Sequence, residues 1–224
     1  MHIQVKNVTK TYRLGDNVID AVKGVTLDIK KGEFLSIVGH SGSGKTSLLS
    51  ILGGILKPTS GQVYFEGIDV YALDEDGIAA YRADRVGYIF QFASLLPVLT
   101  AKENLLLPTI FSSERSADRE NKAEMYLDMV GLGDKLGAYP GQLSGGQQRR
   151  VAIARALMNE PEVILADEPT GDLDEETEAE VMSILRNINS GKGITFILVT
   201  HSSELASGAT RKIRMTHGVA EELD

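Results

Sequence analysis

A chain of 224 residues, 42% hydrophobic and 24% charged, suits one globular α/β domain or two small lobes that share a core. Its net charge of −8 argues against nonspecific binding to nucleic acid or anionic lipid, and its lack of cysteine excludes disulfides, thiolate metal sites and cysteine nucleophiles. The longest apolar runs are too short to cross a bilayer and no leader-like stretch opens the sequence, so we expect a cytosolic protein without direct membrane insertion.

The first half of the chain carries strand patterns around one helix. Alternating apolar and polar residues predict strands over 1–12 and 18–30, and the continuous apolar run Phe34–Val38 predicts a strand buried on both faces. A glycine-rich loop then leads into an apolar helix over 45–56. Two further strands are predicted, at 62–65 and 86–90.

The middle of the chain, about 92–160, changes to helical patterns, with an amphipathic helix over 116–130 and a second helix over 147–159. Strand, helix and strand then follow, at 163–166, from Asp174 onward, and at 196–200. This order predicts an α/β architecture, in which a helical lobe is inserted into a parallel-sheet core.

A phosphate-binding pattern, G-x-x-x-x-G-K-[ST], joins the buried strand to the first helix at Gly39, His40, Ser41, Gly42, Ser43, Gly44, Lys45 and Thr46. Its glycines let backbone N–H groups turn toward phosphate oxygens, and the helix N-terminus adds positive potential. Lys45 can reach the β- and γ-phosphates, and the Thr46 hydroxyl can ligate Mg²⁺. A chance match, expected in roughly 1% of chains of this length, is disfavoured further by the strand–helix context.

Two carboxylates, Asp167 and Glu168, end the apolar strand that begins at Val163. Asp167 would sit beside the Mg²⁺ of the phosphate loop, and Glu168 would act as general base on a water in line with the γ-phosphate. A solvated strand end is the ordinary explanation for such a pair taken alone. The phosphate loop upstream favours the catalytic interpretation.

A second glycine-rich turn opens the second helix, at Leu143, Ser144, Gly145, Gly146 and Gln147. Such a helix N-terminus is a potential anion site. The alternative is a helix cap by Ser144, which accounts for the geometry of the turn but not for the paired glycines before Gln147.

Along essentially its whole length, the chain resembles the ATP-binding subunits of ABC transporters. The resemblance depends on the phosphate loop, the LSGGQ signature at 143–147, the strand at 163–168, and matches at Gln91, 171–174 and His201. It implies a P-loop NTPase core with a mostly parallel sheet, an N-terminal antiparallel β subdomain and an inserted α-helical subdomain.

The resemblance further implies a single ABC ATPase domain over residues 1–224. Residues 1–91 and 161–224 would form the catalytic lobe with its β subdomain, and about 92–160 would form the helical signature lobe.

Nucleotide contacts also follow from the resemblance. Tyr12 is expected to stack on adenine, which requires an exposed ring face, although a core tyrosine is the alternative. Ser47 joins residues 39–46 in binding ATP, and His201 is expected to contact the γ-phosphate.

The resemblance assigns the catalytic and metal residues in the same way. The expected Mg²⁺ ligands are Thr46, Gln91 and Asp167. The expected catalytic residues are Lys45, Gln91, Glu168 and His201. Two D-loop residues, Asp172 and Asp174, are expected to face the active site of a partner chain.

In this family, the signature segment of one subunit completes the site of another. We therefore expect a homodimer in the ATP-bound state, with two ATP molecules and Mg²⁺ held between head-to-tail chains. An integral membrane permease would hold the dimer at the inner face of the cell membrane, and nucleic acid is not an expected partner.

Residues 88–108 and 52–61 are similar to one prokaryotic branch, which includes the lipoprotein-releasing LolD, macrolide-exporting MacB and cell-division FtsE types. The apolar segment 92–99 follows Gln91 and is expected to help line a groove for a helix of the permease. An FtsE-like regulatory ATPase that controls a membrane partner without transport is an open alternative. DNA-repair ABC ATPases need long coiled coils and ribosome-acting ones need two cassettes, so both are disfavoured. The transported substrate would contact the permease, and this sequence does not identify it.

Overall fold

Ten strands in two sheets organise the part of the chain that the computed structural model describes, residues 1–113 and 118–223. The strands are β1 Ile3–Leu14, β2 Asn17–Ile29, β3 Phe34–Val38, β4 Ser60–Phe65, β5 Ile68–Asp69, β6 Val86–Ile89, β7 Val163–Asp167, β8 Thr195–Thr200, β9 Arg211–Thr216 and β10 Val219–Leu223. The antiparallel sheet has the order β2-β1-β4-β5. The larger sheet has the order β10-β9-β3-β8-β7-β6 and is parallel except at the β9–β10 hairpin.

Seven α-helices lie within the described residues. They are α1 Lys45–Leu52, α2 Glu75–Ala80, α3 Ala101–Leu106, α4 Arg119–Met129, α5 Gly145–Ala156, α6 Glu175–Lys192 and α7 Ser203–Ala206. Short 3₁₀ turns also occur, at Val70–Ala72, Leu107–Ile110, Gly133–Lys135 and Pro140–Gln142, and a π turn occurs at Tyr81–Arg85. The mixed α/β architecture confirms the predicted fold class.

Two hydrophobic cores lie on opposite faces of the parallel sheet. Strand β7 shows this directly, because Val163 and Leu165 belong to the core under the antiparallel sheet and α1, whereas Ile164 and Ala166 belong to the core formed with α3–α6. Both faces of β3, β7 and β8 are therefore buried, as continuous apolar strands in a parallel sheet require.

Several predicted boundaries change in the structure. The first helix ends at Leu52 rather than at 56, because Gly53 and Gly54 follow and glycine disfavours helix. The helix predicted over 116–130 is α4, which begins at Arg119; residues 116 and 117 of that prediction lie outside the described residues. The helix predicted over 147–159 is α5, which spans Gly145–Ala156.

A buried histidine ties the start of the chain to the amino-terminal edge of the parallel sheet. His2 is 2% exposed and its Nδ1 lies 2.7 Å from the Thr195 hydroxyl, while its Nε2 lies 3.6 Å from a Glu162 carboxylate oxygen. The Lys31 ammonium donates to Glu162 at 2.8 Å and to Glu66 at 3.3 Å, so a cation already occupies the space between the two carboxylates. Burial lowers the pKa of His2, against the opposing charge of Glu162, and favours the neutral ring.

Because the pKa of His2 is lowered in the folded chain, we predict that the folded state becomes less stable as the pH decreases. Below the ordinary imidazole pKa of about 6.5, His2 takes up a proton more readily in the unfolded chain than in the folded chain, so its contribution to folding is lost as the pH falls. We expect the wild type to lose more unfolding free energy than His2→Gln between pH 7.5 and pH 5.5, measured by urea unfolding. Equal losses would contradict this prediction, since all other titrating groups are common to both chains.

Candidate functional site

The phosphate loop connects β3 to α1, as predicted, and its shape depends on glycine. Gly44 has φ +101°, a left-handed conformation, and a Cβ atom added there would lie 1.9 Å from the Ala21 carbonyl oxygen. Gly39 lies behind the loop against the Met215 carbonyl. The loop is thereby pressed against β2 and β9, with its open side toward solvent.

Lys45 points into this loop. Its ammonium donates to the carbonyl oxygens of Gly39 at 2.7 Å and His40 at 3.0 Å, and the residue is buried. Burial lowers the pKa of Lys45, and the nearby carboxylates of Asp167 and Glu168 oppose that shift. The ammonium is held at the centre of the loop, where phosphate oxygens would replace the carbonyls as its partners.

Oxygen atoms of the kind that Mg²⁺ prefers meet beside the loop. The Thr46 hydroxyl donates to Asp167 Oδ1 at 3.3 Å, and Gln91 lines the same cavity. Burial raises the pKa of Asp167; the Thr46 hydrogen bond and Lys45 oppose the rise, and the charge of Glu168 adds to it. A hydroxyl, a carboxylate and an amide fit Mg²⁺, which takes few protein ligands and keeps several waters.

Glu168 occupies a strained position directly after β7. Its φ of +45° is uncommon for a residue with a side chain, and such strain is concentrated at functional sites. Its carboxylate lies 2.9 Å from His201 Nδ1 and accepts from the Thr200 hydroxyl at 3.4 Å. The two residues that were expected to act on the γ-phosphate thus contact each other.

One cavity of 760 Å³ contains most of the predicted nucleotide and catalytic residues. Its lining comprises Tyr12, Ile19, Ala21, residues 40–47, Gln91, Asp167, Glu168 and His201. The Tyr12 hydroxyl lies 3.2 Å from the Ser47 hydroxyl, and the residue is 36% exposed. This exposure is inconsistent with a core tyrosine, and the Lys10 ammonium lies 5.3 Å from the ring centroid. The role of Tyr12 on adenine stays a prediction.

The signature and D-loop residues do not line this cavity. Ser144 is exposed and caps α5, accepting from the Gln147 N–H at 3.2 Å, while Gln147 Oε1 accepts from the Ser144 N–H at 2.9 Å. Gly146 is explained by packing, because a Cβ there would lie 2.4 Å from Thr177 Cγ2. Leu143 is buried, and Gly145 lies near Leu173.

The two D-loop aspartates have local environments of different kinds. Asp174 caps α6 by accepting from the Thr177 N–H at 3.0 Å and hydroxyl at 2.8 Å, and these bonds lower its pKa. Asp172 is exposed with φ +64°. It stays a prediction that Asp172 and Asp174 face the active site of a partner chain.

One buried side chain near the site was missed from the sequence. Arg149 of α5 donates to the carbonyl oxygens of Phe90 at 2.7 Å and Gln91 at 2.5 Å. The available signal was its helical spacing, since Gly146, Ala152 and Ile153 on the same stripe are all buried. A charged residue on a buried stripe indicates a specific partner.

Among the described residues, no helix combines the length and the hydrophobicity that a membrane span requires.

Comparison with known proteins gives one consistent family. The sequence profile of the ABC transporter family matches residues 22–171. The macrolide export protein MacB of Rhodopirellula baltica is 46% identical over 98% of this chain, and this chain spans only 32% of that protein. Two relatives have a length that matches this chain. The ABC transporter ATP-binding protein MJ0796 of Methanocaldococcus jannaschii is 46% identical over 98% of this chain and 95% of its own length. The lipoprotein-releasing system ATP-binding protein LolD of Syntrophus aciditrophicus is 45% identical over 96% of this chain and 97% of its own length.

Solved structures agree with the sequence relatives. The dimeric structure of the MJ0796 cassette superposes with a TM-score of 0.90 at 46% identity, covering 99% of both chains. A dimeric post-hydrolysis state of the same cassette, bound to ADP and Pi, superposes with a TM-score of 0.89 at 44% identity, again over 99% of both chains.

Proposed function

The chain belongs to the ABC transporter family of ATP-binding proteins, and from that premise we propose that it hydrolyses ATP to ADP and phosphate to power a separate membrane-spanning permease. The observation that carries this proposal is the single cavity that contains Lys45, Thr46, Asp167, Glu168 and His201. In one place, these residues supply a cation that can pair with phosphate, ligands for a metal ion and a general base.

The loop binds the triphosphate through its backbone N–H groups and the N-terminus of α1, and Lys45 turns from its carbonyl partners to the phosphates. Thr46, Asp167 and Gln91 would hold Mg²⁺, which neutralises phosphate charge when bound. Tyr12 would lie under the adenine ring.

Glu168 would accept a proton from the attacking water, because its carboxylate faces the cavity directly after β7. His201, 2.9 Å from that carboxylate, would orient it and contact the γ-phosphate. The hydrogen bond from Thr200 holds the same carboxylate from the strand side.

The site becomes complete in a homodimer. Ser144 and Gly145 of the signature turn and Asp172 and Asp174 of the D-loop are exposed and lie outside the cavity. A second chain in head-to-tail arrangement would bring its own signature turn and D-loop to the nucleotide. The dimeric structures of the MJ0796 cassette support this arrangement.

An apolar groove beside the site would receive the permease, at the cytoplasmic face of the membrane. The groove has a volume of 460 Å³ and is lined by Tyr88, Phe90, Pro108 and Phe111, among others. Phe111 is 76% exposed, which is unusual for phenylalanine and indicates a contact surface. A short helix with apolar side chains on one face fits such a groove.

The expected segment 92–99 contributes less to this groove than the sequence suggested. Leu95 packs against the helical core, and Phe92, Leu96 and Val98 are exposed but do not line the groove. Ser94 is the only described residue of 92–99 in its lining, because the apolar walls come from β6 and the turn that ends at Phe111.

The proposed base gives a first prediction. Glu168→Gln removes the proton acceptor without changing the size of the side chain, so we expect ATP binding to persist and the steady-state ATPase rate to fall by about 100-fold or more. Size-exclusion chromatography should show an ATP-dependent shift from monomer to dimer. Glu75→Gln, an exposed carboxylate on α2, is the matched control and should hydrolyse at the wild-type rate. Near-normal turnover of Glu168→Gln would remove Glu168 from catalysis.

The shared site gives a second prediction. Ser144→Arg should block hydrolysis while its own chain still binds ATP, since Ser144 acts on the nucleotide of the partner. Mixed with Lys45→Ala chains in equal amounts, half of the dimers would contain one intact site, giving about a quarter of the wild-type rate if the sites are independent. Each variant alone should be inactive. Full activity of Ser144→Arg alone would refute sharing between chains.

The groove gives a third prediction. Phe111→Ser should abolish co-purification with the permease and ATP-driven transport, while the isolated chain keeps its ATPase rate and melting temperature. Val98→Ser is the matched control, because Val98 is equally exposed, at 78%, and lies outside the groove. The permease is identified by mass spectrometry after tagged purification from solubilised membranes. Equal binding by both variants would show that this groove is not the docking surface.

A further inference from the structure

The guanidinium of Arg149 connects the helix of the signature motif to the segment that carries Gln91. Arg149 is 5% exposed, and besides its bonds to the carbonyls of Phe90 and Gln91 it donates to Gly171 O at 3.4 Å. A planar guanidinium presents its donors in a rigid fork, so contacts with three carbonyls fix its orientation.

Among the described side chains, no carboxylate lies within ion-pair distance of the Arg149 guanidinium. Burial lowers its pKa and the charge of Asp172 opposes that shift, but an arginine remains protonated. A buried charge held only by backbone carbonyls is costly, and an apolar side chain would fill the same space more cheaply. Packing alone therefore does not account for an arginine at this position.

These carbonyls belong to both segments that flank the nucleotide cavity. Phe90 and Gln91 follow β6, and Gln91 lines the cavity. Gly171 lies in the turn after β7, where its N–H donates to the Glu168 carbonyl at 3.0 Å. One side chain thus holds the backbone on the Gln91 side and on the Glu168 side.

We propose that Arg149 is a positioning residue for ATP hydrolysis, which fixes the backbone of Phe90 and Gln91 so that the Gln91 side chain is held toward Mg²⁺. This inference rests on the proposed function. Arg149 does not line the cavity, so it acts through the segment it holds and not by contact with the nucleotide.

The same helix offers a matched control. Arg155, also on α5, donates to the carbonyl oxygens of Ala93 and Ser94, each at 2.8 Å. It makes the same kind of bonds to the same segment, but beyond Gln91. A merely structural role for such bonds would be similar for both arginines.

The test compares Arg149→Lys with Arg155→Lys, because lysine keeps the charge but cannot hold two carbonyls in a fork. Measured quantities are the melting temperature, the affinity for a fluorescent ATP analogue with and without Mg²⁺, and kcat and KM. For Arg149→Lys we expect metal-free affinity within about twofold of wild type, a loss of the affinity gained from Mg²⁺, and kcat lowered by about 10- to 100-fold, the effect of a small misplacement. Arg155→Lys should retain wild-type kcat and Mg²⁺ dependence.

A double-mutant cycle tests whether Arg149 affects hydrolysis through the Gln91 side chain. Gln91→Ala removes the side chain and keeps the carbonyl that Arg149 holds, so any folding role of Arg149 persists in that background. We expect Arg149→Lys to lower kcat by less than about twofold when Gln91 is already alanine, because the two changes affect one interaction.

Three results would overturn the inference: independent effects of the two changes on kcat, unchanged kcat and Mg²⁺ dependence in Arg149→Lys, or equal losses in the two arginine variants that follow their melting temperatures. If Arg149→Lys does not fold, Arg149→Gln, which still donates to a carbonyl, is measured in the same way. A wild-type chain that binds ATP but does not hydrolyse it would instead overturn the proposed function itself.

Discussion

The hydrogen-bond register of four parallel strands is the constraint on which the rest of the site depends. Val38 of β3 pairs with Thr200 of β8, and Asp167 of β7 pairs with Val199 of β8, so these three strands end within one position of one another. Ile89, the last residue of β6, pairs with Ala166, one position before the end of β7. Each strand therefore releases its next residues at one edge: the phosphate loop, Glu168, His201 and Gln91. A slip of one residue in any strand would turn its side chains to the wrong face.

The sequence was most informative where burial was most complete. Strands β3, β7 and β8 are buried on both faces, so their apolar runs and the motifs at their ends could be predicted together. The β9–β10 hairpin was not predicted, because its strands alternate with charged residues and lie at the edge of the sheet. Its turn has positive φ at both His217 and Gly218, which suits a two-residue hairpin. Arg149 could not be assigned from the sequence, since its partners are backbone carbonyls 58 and 59 positions away.

The signature turn has a local structural role that is compatible with the shared catalytic role proposed for it. Ser144 accepts a hydrogen bond from the Gln147 N–H as a helix cap, and this uses only the oxygen as acceptor. The hydroxyl hydrogen remains free of the cap and could donate to a phosphate in the proposed dimer. Gly146 serves the contact with α6. Among the described residues, Leu173 alone comes within 4 Å of where a Cβ of Gly145 would lie, so the backbone there is open to a ligand. The cap orients the exposed N-terminus of α5 before any partner arrives.

The nucleotide cavity and the proposed permease groove are lined by two adjacent residues. Gln91 lines the nucleotide cavity and Phe90 lines the apolar groove, where its ring stacks on Tyr88 at 4.3 Å. The carbonyls of both residues share the guanidinium of Arg149, so a shift of one peptide is imposed on the next. Because Ser144 caps the N-terminus of α5, closure of a partner chain on the signature turn would act on the same helix that holds this segment. Contact between subunits, metal binding at Gln91 and the groove at Phe90 would then be joined through one rigid element, without a chain of side-chain rearrangements between them.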